Sequence, residues 1–385
     1  MKGIGIVCEF NPFHNGHEYV IKQAKKQKNC PVVCVLSSDF VQRGSVAILD
    51  TQTRAKMAIK AGADVVLSLP FPFSSMSAEI YAESAVKILA QSALCDSIFF
   101  GSECEELQKL KKIADILDND GYAKIKQIQK ADNTKSFAVA RSEFIENSLG
   151  KEYCEISKTP NNILAIEYLR AICRNKYELE PFNVHRTGAM HNQNQTFIHE
   201  NKKFASASYI RQLLMQKDFQ KTKELVPEYV YDEICQNGVN FSNFEQFIYA
   251  ALHLKSCKEL GNIAEISGGI EHVIKKELKS CQSYEALAEA LKSKSVTNAK
   301  ITRALLFCAI GVQKQYTKTR PLYTQILQVS NEGKKLLRHN SKNASIILAS
   351  RVSHIKRDKQ AYEQYCFGLS AENALRAFDN IIYKD

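Results

Sequence analysis

Two histidines three residues apart, His14 and His17, stand in the run Asn11-Pro12-Phe13-His14-Asn15-Gly16-His17. They follow the apolar segment Gly3–Phe10 and precede an amphipathic one. The pattern predicts a strand, a loop bearing His14, and a helix over Gly16–Lys26. In open α/β sheets ligands bind beyond the carboxyl ends of strands, and a helix amino terminus offers unpaired N–H groups and a positive dipole end. Imidazoles placed there can donate hydrogen bonds to phosphoryl oxygens as charge builds on them. Gly16 is expected to let a ligand approach closely. Zinc-binding histidines usually sit four apart on a helix with a third ligand, and these are three apart across a glycine, so no metal site is expected.

A second segment, Ser206-Ala207-Ser208-Tyr209-Ile210-Arg211, opens another helix. Small hydroxylated residues make an anion-accepting helix cap, and Arg211 in the first turn suits a bidentate phosphate contact.

The elements that must hold these residues alternate. Strands are expected at Gly3–Phe10, Pro31–Leu36, Ala63–Leu69, Ser97–Phe100 and Glu180–Arg186, with helices at Thr51–Ala61 and Ala78–Ala90 among those between them. Strands joined by helical crossovers imply a doubly wound parallel sheet. After Pro227 amphipathic helices dominate, for instance Phe244–Leu254, Gly269–Leu278 and Tyr284–Leu291. A boundary is therefore expected near 225, with a catalytic α/β domain over 1–225 and an α-helical domain over 226–385.

Composition adds limits. The 385 residues are 45% hydrophobic and 24% charged, ordinary for a globular protein and unlike a disordered chain. No apolar run is long enough to cross a membrane, no signal-peptide pattern opens the chain, and a cytoplasmic location is expected. The twelve cysteines are scattered without C-x-x-C, mostly at apolar positions such as Cys8, Cys95, Cys173 and Cys308, which reads as buried thiols in a reducing compartment. Net charge is +11, and it is uneven. Lys292–Lys359 holds fifteen Lys or Arg against two acids, so the remainder is close to neutral. Lys294, Lys300, Arg303, Lys318, Arg320, Arg338 and Lys342, with Tyr316 and Tyr323 interleaved, suit an RNA backbone and unpaired bases.

H-x-G-H after the first strand, with the later S-x-S-x-x-R, resembles the HIGH-type nucleotidyltransferases. VCEFNPFHNGH (Val7–His17), VQRG (Val41–Gly44), RAKMA (Arg54–Ala58), AGADVVLSLP (Ala61–Pro70), FFGSE (Phe99–Glu103), TPNNIL (Thr159–Leu164) and IEYL (Ile166–Leu169) sharpen the likeness. Together they resemble the bacterial tRNA(Met) cytidine acetate ligase family. The resemblance implies a Rossmann-like catalytic domain that activates acetate with ATP and Mg²⁺ as acetyl-adenylate. It then implies acetyl transfer to N4 of the wobble cytidine of elongator tRNA(Met), without acetyl-CoA.

Carried over by position, the ATP loop is Val7, Cys8, Glu9, Phe10, Asn11, Pro12, Phe13, His14, Asn15, Gly16, His17, Glu18, Tyr19 and Val20. Gly101, one of Asn161 and Asn162, and Arg186 complete the nucleotide site. His14 and His17 would stabilise the pentavalent phosphorus, with Ser206, Ser208 and Arg211 on the β and γ phosphates. Gln42, Arg43 and Gly44 are expected to line the acetate or cytidine pocket. The chain departs from the family pattern at Ser38-Asp39 and Ser45-Val46, where glycine and Glu-Pro are usual, and at Ala165. Two other readings are a small-molecule nucleotidyltransferase and a non-catalytic RNA-binding protein. The added basic region argues against the first, and the intact histidine pair and Ser206–Arg211 argue against the second.

Overall fold

The computed structural model describes residues 2–132, 135–186, 196–199, 202–238, 241–292 and 296–349. Among them the strands are β1 (Gly3–Cys8), β2 (Val32–Ser37), β3 (Val65–Leu69), β4 (Cys95–Ser102), β5 (Glu180–His185), β6 (Phe197–His199), β7 (Lys202–Phe204), β8 (Tyr323–Val329) and β9 (Ile347–Ala349). One sheet has the order β5-β4-β1-β2-β3-β8-β9, and β6 and β7 form a separate hairpin.

β2 and β3 are buried along their whole length, which is why their sequences run almost continuously apolar. Alternation still sorts their residues between two cores. Val33, Val35, Val65 and Leu67 face the Ala78–Gln91 and Pro160–Asn175 helices. Val32, Cys34, Leu36 and Val66 face the Asn15–Lys28 and Thr51–Lys60 helices. The chain lays β1, β2 and β3 side by side in parallel, then returns past β1 to β4 and β5. That reversal between β1 and β4 is the topological switch point, where a crevice opens at the strand ends. The doubly wound fold is as expected.

A third core joins the Phe241–Leu254, Ile270–Glu277, Tyr284–Ala290 and Asn298–Ile310 helices through Phe244, Ile248, Leu252, Ile274, Leu287 and Leu305. Phe40, Phe71 and Met76, from loops of the sheet domain, enter the same core. The segment beyond 226 is not helical throughout. β8 runs antiparallel beside β3, and β9 is parallel to β8. Thr324 Oγ1 donates to the Ser68 carbonyl at 2.6 Å, and Ser330 Oγ bonds Asp64 Oδ1 at 2.8 Å. Residues beyond 225 therefore supply both the helices of the third core and two strands of the sheet. The eleven described cysteines are all unpaired, and Cys173, expected to be buried, is exposed near the end of its helix.

Candidate active site

β1 ends at Cys8, and Phe10 turns the chain with φ 51°, a left-handed conformation seldom taken by a bulky residue away from functional sites. Its ring packs against Phe13 and His17, with centroids 4.7 and 4.9 Å away. Asn11 fixes the turn: its Oδ1 accepts from Ile48 N–H at 2.9 Å, and its Nδ2 donates to the Val46 carbonyl at 3.3 Å.

His14 is then the cap of the Asn15–Lys28 helix. Its Nδ1 accepts from Gly16 N–H at 3.1 Å, while its own N–H donates to His17 Nδ1 at 3.3 Å. The two rings stack at 3.6 Å. With both Nδ1 atoms accepting, each neutral ring carries its proton on Nε2. Burial, then the Arg186 and Arg211 charges, lower the His14 pKa to about 3. Burial, His14 and Arg186 hold His17 well below the usual histidine range. The pair is therefore uncharged near neutral pH, two fixed Nε2–H donors at a helix amino terminus. A Cβ on Gly16 would come within 2.9 Å of the His14 ring, so glycine at this point of the cleft wall makes room for the histidine.

On one side of the pair stands Arg186, at the end of β5. Its Nη1 donates to Asn161 Oδ1 at 3.0 Å, and Asn161 Nδ2 donates to Glu103 Oε1 at 2.7 Å. Glu103 also accepts from Thr159 Oγ1 and from the N–H groups of Asn161 and Asn162, holding a carboxylate over the start of the Pro160–Asn175 helix. The two asparagines thus differ. Asn161 lines the cleft, whereas Asn162 is buried and spends its Oδ1 on the N–H groups of Glu103 and Cys104. A Cβ on Gly101 would sit 2.7 Å from Arg186 Cδ, so Gly101 lets that arginine lie flat on the strand.

On the other side Ser206 caps the Ala207–Met215 helix, its Oγ accepting from Tyr209 N–H at 3.1 Å. Arg211 donates through Nη1 to the Asn11 carbonyl at 2.6 Å and through Nη2 to Ser208 Oγ at 3.4 Å. This helix is thereby tied to the histidine loop across 200 residues of sequence. Burial raises the Glu9 pKa, opposed by the Gln42 N–H that donates to its Oε1 at 2.8 Å and by Arg211, Arg43 and Arg54.

These groups surround one cleft of about 1690 Å³. From the expected nucleotide loop it is lined by Val7, Cys8, Glu9, Phe10, His14, Gly16, His17, Tyr19 and Val20. Asn11, Pro12, Phe13, Asn15 and Glu18 do not line it. Asn15 ties the helix to the Lys203 and Glu224 carbonyls, and Glu18 pairs with Lys22 and Lys202. Gln42 and Arg43 line the cleft; Gly44 instead has φ 78° and would bring a Cβ within 2.7 Å of the Arg303 backbone. The tight contact between that loop and the Asn298–Ile310 helix is why glycine stands there.

Arg54, which opens the RAKMA block, has a role that the sequence did not assign. It is fully buried and donates to the carbonyls of Leu49, Glu9, Ser37 and Ser38, gathering the ends of β1 and β2. Its position on the face of Thr51, Ala55 and Ala58 was the available signal. Asp39, at one departure from the family pattern, accepts from Thr51 N–H and Oγ1 at 2.7 and 2.6 Å and lies 3.8 Å from Arg54.

The expected RNA-facing residues divide. Lys318, Arg338 and Lys342 are exposed, with no ion pair among the described residues. Lys300 is half-buried, its Nζ 3.3 Å from Ser267 Oγ. Arg303 and Arg320 are committed inward, to Glu265 at 2.9 Å and Glu83 at 2.6 Å, and Arg303 lines the cleft. Lys294 lies outside the described residues. Among the described residues no cluster of three or more His, Cys, Asp or Glu could hold a metal ion, and no helix is long and apolar enough to cross a membrane.

The HIGH Nucleotidyl Transferase family model matches residues 1–380. A tRNA(Met) cytidine acetate ligase of Caldanaerobacter subterraneus subsp. tengcongensis is 35% identical over 95% of this chain and 94% of its own. One from Clostridium perfringens is 32% identical over 92% and 90%. The crystal structure of Thermotoga maritima TmcAL bound with alpha-thio ATP superposes with a TM-score of 0.88, at 26% identity over 97% of this chain and 96% of that one. A chain with this histidine pair at the switch point, matched along nearly its whole length, belongs to the HIGH nucleotidyl transferases and, within them, to the tRNA(Met) cytidine acetate ligase family.

Proposed function

We propose that the protein is an ATP-dependent ligase that activates acetate as acetyl-adenylate and acetylates N4 of the wobble cytidine of elongator tRNA(Met). The observation that carries this reading is the neutral His14–His17 pair, whose Nδ1 atoms are tied to backbone and whose Nε2–H groups remain as donors. An acetate oxygen attacks the α-phosphorus, the bond to pyrophosphate breaks, and acetyl-adenylate results. No enzyme nucleophile is needed; alignment and charge neutralisation supply the rate. His14 and His17 donate to oxygens around the α-phosphorus, and Ser206, Ser208 and Arg211 hold the departing phosphates. Asn161 and Arg186, with Gly101 beneath, hold the nucleoside, and Gln42 and Arg43 face the acetate.

Mg²⁺ would enter as the counter-ion of the ATP phosphates. The cytidine N4 then attacks the acyl carbon, AMP departs with the electron pair, and the amine loses a proton. Acetyl-CoA has no part in this sequence. Lys300, Lys318, Arg338 and Lys342 contact the tRNA backbone, and a tRNA substrate puts the reaction in the cytoplasm.

The test is to incubate the protein with radiolabelled acetate, ATP and bulk tRNA, then digest the RNA. Label in N4-acetylcytidine, dependent on ATP, is the expected result. Label absent from RNA, with ATP consumed on a small phosphorylated metabolite instead, would replace this reading with that of a small-molecule nucleotidyltransferase.

A further inference from the structure

Beyond the histidines the cleft continues into a second lobe, between the Ala78–Gln91, Phe137–Leu149 and Pro160–Asn175 helices. Tyr81, Phe100 and Tyr168 are buried along it, and Tyr122 and Phe137, exposed with rings 6.2 Å apart, stand at its open side. Within the aromatic wall lies a charged group. Glu167 Oε1 accepts from Arg141 Nη2 at 3.3 Å, and its Oε2 accepts from Arg170 Nη1 at 2.6 Å.

The two arginines are not equivalent. Each nitrogen of Arg170 has a carboxylate partner, Nε on Asp118 at 3.2 Å and Nη2 toward Glu79 at 3.4 Å besides Nη1 on Glu167. Arg141 has no partner for Nε or Nη1 among the described residues, although burial lowers its pKa. Because Arg141 lines the lobe and keeps some exposure there, its unused donors are open to an acceptor that enters it.

We propose that this lobe is the nucleobase subsite, in which Arg141 and Glu167 read the Watson–Crick edge of a cytosine turned out of its stack. That edge carries two adjacent acceptors, O2 and N3, followed by the N4 donor. Arg141 offers side-by-side donors on Nε and on the second hydrogen of Nη2, and Glu167, which accepts the other Nη2 hydrogen, supplies an acceptor next to them. Arg170 has the positioning role: spent on three carboxylates, it holds Glu167 in place. Uracil presents a donor at N3 and an acceptor at O4, so both contacts become repulsive, which is how a site rejects an isosteric base. The aromatic rings hold the plane of an unstacked base, as in proteins that act on extruded nucleotides.

The inference rests on the cytidine-acetylating reading and adds to it the part of the cleft that recognises the base. Its test uses full-length protein and two assays: acetate-dependent ATP–pyrophosphate exchange, which involves no base, and acetyl transfer to tRNA(Met) transcripts bearing C or U at the wobble position. Arg141→Ala is expected to lower transfer relative to exchange by about tenfold to a hundredfold. Glu167→Gln is expected to narrow the preference for C over U. Tyr122→Ala, at an exposed position outside the core, is expected to raise KM for tRNA several-fold with kcat retained, so the idea stays testable if a buried variant folds poorly. Transfer and exchange falling in parallel, or transfer untouched in Arg141→Ala and Tyr122→Ala, would overturn the subsite. Absence of acetate-dependent exchange in the unaltered protein would instead overturn the reading beneath it.

Discussion

Arg54 in the interior, and Arg170 and Arg186 in the cleft wall, are largely withdrawn from water and held by carbonyls, carboxylates and an amide, whereas Lys318, Arg338 and Lys342 stand in solvent with no ion pair among the described residues. The first set fixes the ends of strands and the direction of side chains, through contacts that salt reaches poorly. The second set supplies a field that draws a polyanion and weakens as ionic strength rises. Arg303 and Arg320 fall between the two: their sequence positions belong to the basic stretch, but their ion pairs with Glu265 and Glu83 put them with the first set. Net charge along a chain therefore overstates what is available to a partner.

Substitutions separate the two kinds of residue. The largest effect belongs to His14→Asn, which keeps a good helix cap while removing the Nε2–H donor. Acetate-dependent ATP–pyrophosphate exchange is expected to fall about 10²- to 10³-fold with the circular dichroism spectrum unchanged. The same site makes a pH statement. With a folded pKa of about 3, His14 stays neutral, so exchange has no inflection from it near pH 6.5. Stability falls as pH drops below about 6.5, because the unfolded chain binds protons that the folded site refuses.

Next comes Arg54→Met. It strands four backbone carbonyls in the interior and is expected to cost about 3–5 kcal/mol, read from denaturant unfolding. A variant as stable as the parent would remove Arg54 from its organising role. Charge reversal of the exposed pair, Arg338→Glu with Lys342→Glu, is expected to leave the melting temperature alone. It should weaken tRNA binding about tenfold and reduce the slope of log affinity against log salt by about two. Parallel loss of exchange activity would contradict the division between the two sets.

The smallest effect lies with Glu245, on the Phe241–Leu254 helix. Burial, then its hydrogen bond with Glu285, raises its pKa to about 7. A carboxyl raised on folding contributes stability that is full below the unfolded pKa, near 4.5, and lost as pH rises through 7. Glu245→Gln should flatten that decline in thermal melts across pH 4.5–7; identical pH profiles would remove the pair from consideration.

Local features were legible in the sequence. The strand, His14 loop and helix are written within some twenty consecutive residues, and the Ser206 cap within six. What joins them was not. Arg211 reaches the Asn11 carbonyl, and Glu103 meets Asn161, through folding of distant segments. β8 escaped notice because Tyr323–Val329 carries Gln325 and Gln328 amid helices, and its partner β3 lies more than 250 positions earlier. The inward turn of Arg303 and Arg320 depended on glutamates 38 and 237 residues away, which no local pattern reveals.

The pairing of β8 with β3 has a consequence for synthesis. Until Tyr323–Val329 has been made, a growing chain carries Val65–Leu69 as an open, uncharged sheet edge, a ready template for pairing with another nascent chain. A truncation near 225 would make that hazard permanent. The sheet that carries the histidine loop is thus closed along this edge by residues more than 250 positions downstream.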